Sequence, residues 1–185
     1  MLKYMRIWNR IIRLYKRCFW SLEKRALHEG VIMGKQNRIE SYFWSSAEPY
    51  LITIGSHCDL TEGSKIYTHG GARVARGEYP DFDVFGKVVL GNRVYVGSGA
   101  MIMPGVIIGD NVLIAAGSVV TKSIPSNVVV AGNPAKFVCT LDEYIKKNNC
   151  FNVGTKSLSP KDKKVFLLVQ PDEKFVKKGY IQVPD

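Results

Sequence analysis

Three histidines and four cysteines are the side chains of this sequence best suited to proton transfer, nucleophilic attack or metal binding. They are His28, His57 and His69, and Cys18, Cys58, Cys139 and Cys150. An imidazole exchanges its proton near neutral pH, so a histidine held against a hydroxyl group can act as a general base. The cysteines lack the paired spacing of metal sites, and we expect no bound metal. A lone histidine is more often structural, so the elements around each histidine decide its role.

The composition describes a single domain with appendages. The chain has 185 residues, 46% of them hydrophobic, and no apolar run approaches the ~20 residues of a membrane span. Basic residues interrupt every stretch of the first thirty residues that could serve as an export signal, which predicts a cytoplasmic protein with reduced cysteines. The formal net charge is +10, but the excess lies mainly at the termini and no nucleic-acid module is present. We therefore expect no nucleic-acid partner.

Residues 1–30 are predicted to form a basic amphipathic helix. Residues 3–25 carry eight basic side chains against one acidic, Glu23. On a helical wheel one arc holds Trp8, Ile11, Ile12, Tyr15, Phe19 and Leu22, and the opposite side holds Lys3, Arg6, Arg10, Arg13, Arg17 and Lys24. The aromatic side either packs against the rest of the domain, with the charges solvated, or lies on a membrane of anionic lipid.

A six-residue period dominates the middle of the chain. Aliphatic residues recur at Leu90, Val96, Ile102, Ile108, Ile114 and Val120, and a second series follows four positions later, at Val94, Ala100, Val106, Val112, Ser118 and Ile124. This hexapeptide period predicts a parallel β-helix, an all-β fold in which three hexapeptides make one coil and residues eighteen apart stack. We expect Gly91, Gly97 and Gly109 at tight corners that need unusual backbone dihedral angles.

The period is interrupted twice. Between Gly71 and Asp83 the residues do not suit a coil, which predicts a protruding loop over 71–83, and Val84 and Val88 then return in phase. A less clean interruption falls at residues 41–49. These patterns divide the chain into a β-helix at 31–138 and a C-terminal segment at 139–185. That segment begins with a short helix at 141–147, and we find no functional interpretation of residues 150–185.

Four segments of the sequence resemble a known family. They are EPYLITIG (Glu48 to Gly55), IYTHGG (Ile66 to Gly71), the block from Val88 to Pro125, and VVVAGNPAK (Val128 to Lys136). Together they resemble the hexapeptide-repeat acyltransferases, whose β-helix is left-handed, and among these the polysaccharide O-acetyltransferases related to maltose, galactoside and xenobiotic acetyltransferases. The resemblance covers residues 31–140. It implies a homotrimer that binds acetyl-coenzyme A between neighbouring chains.

The resemblance also implies roles for particular residues. His69, in the THGG motif, matches the histidine that acts as general base. Many relatives have an acidic residue directly after it, where this chain has Gly70, and we name Glu48 as the candidate that orients the imidazole instead. For the coenzyme, the resemblance implies that Ser98 and Ala116 contact the pantetheine arm, that Thr121 and Lys122 lie toward the adenosine end, and that Lys136 meets a phosphate. Cys139 stands where relatives often have a second basic residue.

The function that this resemblance implies is O-acetylation of a sugar hydroxyl in a bacterial surface polysaccharide or its precursor. N-acylation of an amino sugar remains an alternative. A zinc-dependent carbonic anhydrase on the same scaffold needs three convergent histidines, and His28, His57 and His69 are poorly spaced for that. A noncatalytic β-helix that serves only in assembly is a third possibility.

Overall fold

The computed structural model describes residue 8, residues 15 and 16, and residues 18–182. The chain divides into two compact units, Met1–Leu141 and Asp142–Asp185. In the described part of the chain the strands are β1 (Ile32–Met33), β2 (Arg38–Ile39), β3 (Ile52–Ile54), β4 (Asp59–Leu60), β5 (Lys65–Ile66), β6 (Val88–Leu90), β7 (Tyr95–Val96), β8 (Met101–Ile102), β9 (Ile107–Ile108), β10 (Leu113–Ile114), β11 (Val119–Val120), β12 (Val128–Ala131) and β13 (Lys136–Thr140). The helices are α1 (Leu22–Glu29), α2 (Ala72–Ala75), α3 (Leu141–Asn148) and α4 (Pro160–Leu168), with 3-10 turns at Pro49–Leu51, Asn149–Phe151, Thr155–Ser157 and Asp172–Lys174.

The strands form three parallel sheets that wind around a common core. Their orders are β1-β3-β6-β9, β2-β4-β7-β10-β12 and β5-β8-β11. From β1 to β12, successive strands along the chain belong to different sheets, as expected for a parallel β-helix with three faces. The predicted stacking is confirmed: Leu90 pairs with Ile108, Val96 with Ile114 and Ile102 with Val120.

The interior of the β-helix is the predicted aliphatic column. Every residue of the two six-residue series between Leu90 and Ile124 is buried, with at most 8% of its surface exposed. Ser118 is the polar member, and its hydroxyl accepts a hydrogen bond from the Gly132 N–H at 3.2 Å. Full burial of one large aliphatic side chain contributes ~1.5–3 kcal/mol, so the column accounts for much of the stability of this unit.

The corner glycines correct one expectation. Gly91, Gly97 and Gly109 do not have positive φ angles, so unusual dihedral angles do not explain them. Each instead lies against the next coil: a Cβ atom added at Gly97 would lie 2.5 Å from the Ala116 nitrogen. A Cβ atom added at Gly91 would overlap Asp110, and one added at Gly109 would overlap Ser126. Only glycine fits at these corners, because the coils stack too closely to leave room for a side chain.

The large loop leaves the β-helix between β5 and β6. An antiparallel bridge of His69 with Phe85 closes its neck, and the Gly86 N–H donates to the Thr68 carbonyl at 2.7 Å. The coils on either side pair directly, so Leu60 lies beside Val96, 36 positions later, where an uninterrupted β-helix would place residues 18 apart. The insertion is thus a whole number of hexapeptides, which explains why the period survives it. Val84 is nevertheless 53% exposed, so its prediction as an interior residue was wrong, and the coil resumes at Val88.

The first coil is covered by α1. Ser21 caps this helix by accepting a hydrogen bond from the Lys24 N–H, and Ala26 is fully buried in the core. The indole N–H of Trp44, a buried residue of the 41–49 interruption, donates to Glu29 at 2.7 Å. These contacts join the end of α1 to the coil.

Fourteen of the thirty residues of the predicted amphipathic helix, residues 1–7, 9–14 and 17, lie outside the described residues. Of its aromatic side, Trp8, Tyr15 and Phe19 are 63%, 56% and 73% exposed. None of the helices in the described ranges has both the length and the apolar surface needed to cross a membrane.

The other end of the β-helix differs from the prediction. The parallel coil ends at β12, and the chain turns back so that β13 pairs with β12 in the antiparallel direction. Residues 136–138 therefore belong to a reversed strand rather than to a coil. In the second unit, α4 begins after Ser159, whose hydroxyl accepts a hydrogen bond from the Asp162 N–H.

Candidate active site

His69 lies at the neck of the large loop, three residues after β5. Its side chain is 41% exposed, and its ring centroid lies 5.8 Å from that of Phe85 across the antiparallel bridge. The bridge ties the histidine backbone to the second strand of the neck. The imidazole is therefore accessible but held at a defined position.

Glu48 lies beside His69, although it belongs to the other interruption of the period, residues 41–49. It is the last residue before the 3-10 turn Pro49–Leu51, and one carboxylate oxygen, Oε2, lies 2.9 Å from His69 Nδ1. A carboxylate can only accept hydrogen bonds, so Nδ1 carries the proton. Nε2 is left with a free lone pair, which is the tautomer that a general base requires.

The Glu48 carboxylate is also bound by Thr68. The Thr68 hydroxyl donates to Oε2, the same oxygen that His69 meets. Partial burial raises the pKa of the Glu48 carboxyl, but the hydrogen bonds from Thr68 and His69 outweigh burial and leave the pKa below its ordinary value. Glu48 thus remains an anion through the whole pH range in which an imidazole titrates.

The imidazole forms part of the wall of two hollows. One, of about 280 Å³, is polar and includes Glu48, Arg73, Arg76 and Asp83. Arg76 is fixed there by Asp83 at 3.3 Å and by the Phe82 carbonyl at 3.1 Å. The other hollow, about 470 Å³, is a more open groove whose remaining lining is mainly apolar: Tyr67, Gly70, Met101, Met103 and Pro104.

The residues predicted to bind a coenzyme lie at two different corners of the β-helix. Ser98 and Ala116 lie before the sheet β5-β8-β11, on successive coils, where the Gly117 N–H donates to the Ser98 carbonyl at 2.8 Å. Thr121 and Lys122 follow β11, at the corner after that sheet, which is also the corner of His69.

Lys136 lies near the first of these corners. It is the first residue of β13, and the preceding residue, Ala135, donates its N–H to the Val119 carbonyl at 2.8 Å. Ser98, Ala116, Thr121, Lys122 and Lys136 are all exposed. The structure brings together His69 and Glu48 but leaves these five residues in two separate groups within one chain.

The other two histidines lie elsewhere. His57 is exposed and has a left-handed backbone, φ 60°, at a corner where Arg93 and Asn111 repeat that conformation. His28 lies in the last turn of α1, with Nε2 2.6 Å from Lys16 Nζ. Neither is bound by a carboxylate in the described part of the chain.

Sequence reasoning missed three features of the site. It gave no role to Thr68, to the Arg76–Asp83 pair or to the ring of Phe85. The adjacency of Thr68 to His69 was visible in the sequence, but the hydroxyl acquires its partner only when residues 41–48 fold onto β5. No pattern in the sequence indicated the pair within the loop.

Comparison with known proteins connects this geometry to a family. The family of bacterial transferase hexapeptide proteins (six repeats) matches residues 87–122. Protein CapG of Staphylococcus aureus is 43% identical over 162 residues, a match that covers 83% of this chain and 94% of CapG. That likeness extends over nearly the whole of CapG and includes both interruptions of the period.

Two further relatives match over shorter ranges. Galactoside O-acetyltransferase of Escherichia coli K12 is 50% identical over 59 residues, which are 32% of this chain and 29% of that enzyme. A hexapeptide-repeat acetyltransferase of Vibrio cholerae, crystallised with acetyl-coenzyme A, is 23% identical, covers 61% of each chain and has a TM-score of 0.50. This last likeness shows the fold, a left-handed parallel β-helix.

Proposed function

This chain is an acetyltransferase of the hexapeptide-repeat family of bacterial transferases, and we propose that it moves the acetyl group of acetyl-coenzyme A to a sugar hydroxyl. The acceptor is a bacterial surface polysaccharide or its precursor, which the segments Glu48–Gly55 and Ile66–Gly71 favour by their resemblance to enzymes of that class. The observation that carries the proposal is the 2.9 Å contact of Glu48 with His69 Nδ1. It supplies a base for a hydroxyl group that is otherwise a poor nucleophile.

The reaction is a direct transfer. His69 Nε2 takes the proton of the sugar hydroxyl as its oxygen bonds to the thioester carbonyl carbon, which gives a tetrahedral intermediate and an imidazolium. The carbon–sulfur bond then breaks, the carbonyl re-forms, and the coenzyme leaves as a thiol with the proton from Nε2. The Glu48 carboxylate stabilises the positive charge that the ring carries between these steps. General-base assistance of this kind contributes ~10²–10⁴-fold.

The two hollows beside His69 suit the two substrates. The groove of Tyr67, Met101 and Met103 is apolar and fits the acetyl-thioester end of the coenzyme. The smaller hollow presents the charged pair Arg76–Asp83 and the ring of Phe85, which suit a saccharide with hydroxyl groups and an apolar ring face. The imidazole lies between them, where the hydroxyl and the thioester carbonyl must meet.

Lys136 is proposed to meet a phosphate of the coenzyme. Lys136→Glu places a repelling charge beside that anion and should raise the Michaelis constant for acetyl-coenzyme A about tenfold, with much less effect on that for the acceptor. Lys35→Glu, on the first coil, is the control for the change in net charge. Calorimetry that finds the affinity of Lys136→Glu for acetyl-coenzyme A unchanged removes Lys136 from the site.

The separation of the proposed coenzyme residues supports a homotrimer. Ser98 and Ala116 lie on one side of the sheet β5-β8-β11, and Thr121 and Lys122 lie on the other. A coenzyme in a groove between two chains can contact one group from each chain, and a closed threefold ring repeats that groove. Sedimentation equilibrium should give three times the 20.7 kDa mass of the chain, and a fully active monomer would contradict the shared site.

A peripheral contact with anionic membrane through residues 1–25 completes the proposal. Eight basic residues lie in residues 3–25, and each contributes ~1 kcal/mol near an anionic surface. The exposed rings of Trp8, Tyr15 and Phe19 support the same interaction. The protein should sediment with anionic liposomes at low salt, and deletion of residues 1–25 should abolish this while acetylation of a soluble acceptor continues. Loss of all activity on deletion would show instead that the segment is a structural cap.

The test of the function is acetyl transfer to a saccharide. The protein is incubated with labelled acetyl-coenzyme A and a surface polysaccharide stripped of its ester groups by mild alkali, and label in the polymer is measured before and after alkaline hydroxylamine. We expect label that hydroxylamine removes, because it cleaves esters but leaves amides intact. Label that resists hydroxylamine would establish N-acylation, and absence of any transfer would favour a noncatalytic assembly role.

A further inference from the structure

Thr68 occupies the centre of the contacts that hold Glu48 against His69. Its side chain is fully buried, and its hydroxyl makes two hydrogen bonds to the same residue. The hydroxyl accepts the Glu48 N–H at 2.8 Å and donates to Glu48 Oε2. It thereby links the main chain of Glu48 to the carboxylate of the same residue.

We propose that Thr68 is a positioning residue that acts through Glu48, fixing the carboxylate rotamer and so the tautomer of His69. This inference rests on the proposed function of His69 as the base. The glutamate side chain has two rotatable bonds beyond Cβ, so it can turn either carboxylate oxygen toward a partner. With Oε2 held by Thr68, that oxygen is the one presented to Nδ1, and the histidine proton remains on Nδ1.

The chemistry of the side chain explains why a hydroxyl is needed. One atom must both accept from an N–H and donate to a carboxylate, and among side chains of this size only serine and threonine do both. The β-branched side chain of threonine also has restricted χ1 freedom, so its hydroxyl is held in place before Glu48 arrives. Valine has the same shape and can make neither bond.

The first experiment reads the tautomer without any acceptor substrate. The full chain contains three histidines, so ¹⁵N-labelled imidazoles give few signals, and the His69 signals are those absent from His69→Gln. In the wild type and in Thr68→Ser we expect Nδ1 to carry the proton. In Thr68→Val we expect the mixture of tautomers typical of a free imidazole. A Thr68→Val spectrum identical to that of the wild type would overturn the proposal, whatever the activity assay shows.

The second experiment separates positioning from a structural role. Thr68→Val should lower kcat for acetyl transfer about tenfold with little change in the Michaelis constant for acetyl-coenzyme A, whereas Thr68→Ser should remain within about threefold. Because Thr68 acts through Glu48, adding Thr68→Val to Glu48→Gln should change kcat less than twofold. An additive loss in the double variant would show that Thr68 acts only on the fold, and Thr68→Ala repeats the test if valine does not fold.

The two experiments can fail independently. If the wild type acetylates no saccharide and the imidazole spectra still change as described, the proposed function fails and the positioning role stands.

Discussion

The regular coils from Val88 to Val120 and the two interruptions of the period are built on different physical principles. In the coils each interior residue is fixed by its place in a six-residue series, and Leu90, Val96 and Ile102 each pair with the residue 18 positions later. In the interruptions, Glu48 and His69 meet at 2.9 Å because one irregular segment folds onto another. The repeat supplies stability and a rigid frame, and the breaks in the repeat carry the polar groups that can do chemistry.

Truncation inside the regular coils should affect stability and leave the chemistry unchanged. Ile114 is fully buried on β10, and Ile114→Ala should lower the free energy of unfolding by ~2–5 kcal/mol, measured by urea denaturation. The folded fraction should retain kcat within about threefold of the wild type. A variant of unchanged stability with lost activity would contradict the division between frame and site.

Close stacking of the coils predicts a smaller loss for a single added methyl group. Gly97→Ala places a Cβ atom 2.5 Å from the Ala116 nitrogen and should cost ~1–3 kcal/mol of unfolding free energy. Gly77→Ala, in the large loop, is the matched control, because no heavy atom lies within 4 Å of its Cβ position. Equal melting temperatures for the two variants would remove the steric explanation of the corner glycines.

The smallest expected effect concerns the pH dependence of stability in the interrupted region. Because the folded pKa of Glu48 is lowered, its carboxylate stabilises the fold above the unfolded pKa of ~4.3, and this contribution is lost as the pH falls through the folded pKa. Glu48→Gln should therefore be less stable than the wild type at pH 7. The difference should shrink in urea titrations repeated between pH 5 and pH 3. A difference that grows toward low pH has the opposite sign and would contradict the lowered pKa.

The difference between the two regions also explains what the sequence could predict. A six-residue period is a local signal, and stacking of residues such as Leu90 and Ile108 follows from it once the chain closes into coils. The same signal was misleading at Val84, because an insertion of whole hexapeptides preserves the phase without returning the chain to the coil. The direction of β13 was not predictable for a similar reason, since an apolar strand pattern does not distinguish parallel from antiparallel pairing.

The candidate site was accessible only through its family motif. His69 and Glu48 were named from a resemblance, and their pairing remained an expectation because the two residues lie 21 positions apart in segments without periodicity. The hydroxyl of Thr68 and the Arg76–Asp83 pair depend on side-chain positions within folded loops. Such positions are set by tertiary contacts, and no local pattern in the sequence encodes them.

Acetyl transfer by His69→Ala, measured beside His57→Ala, tests the central claim most directly. His69→Ala should lower kcat/KM at least about a hundredfold while acetyl-coenzyme A binding by calorimetry stays nearly intact. His57→Ala changes an exposed imidazole at a corner of the β-helix and should be nearly silent. If His69→Ala retains activity within a few-fold of the wild type, His69 is not the base and the interrupted region is not the site of the chemistry.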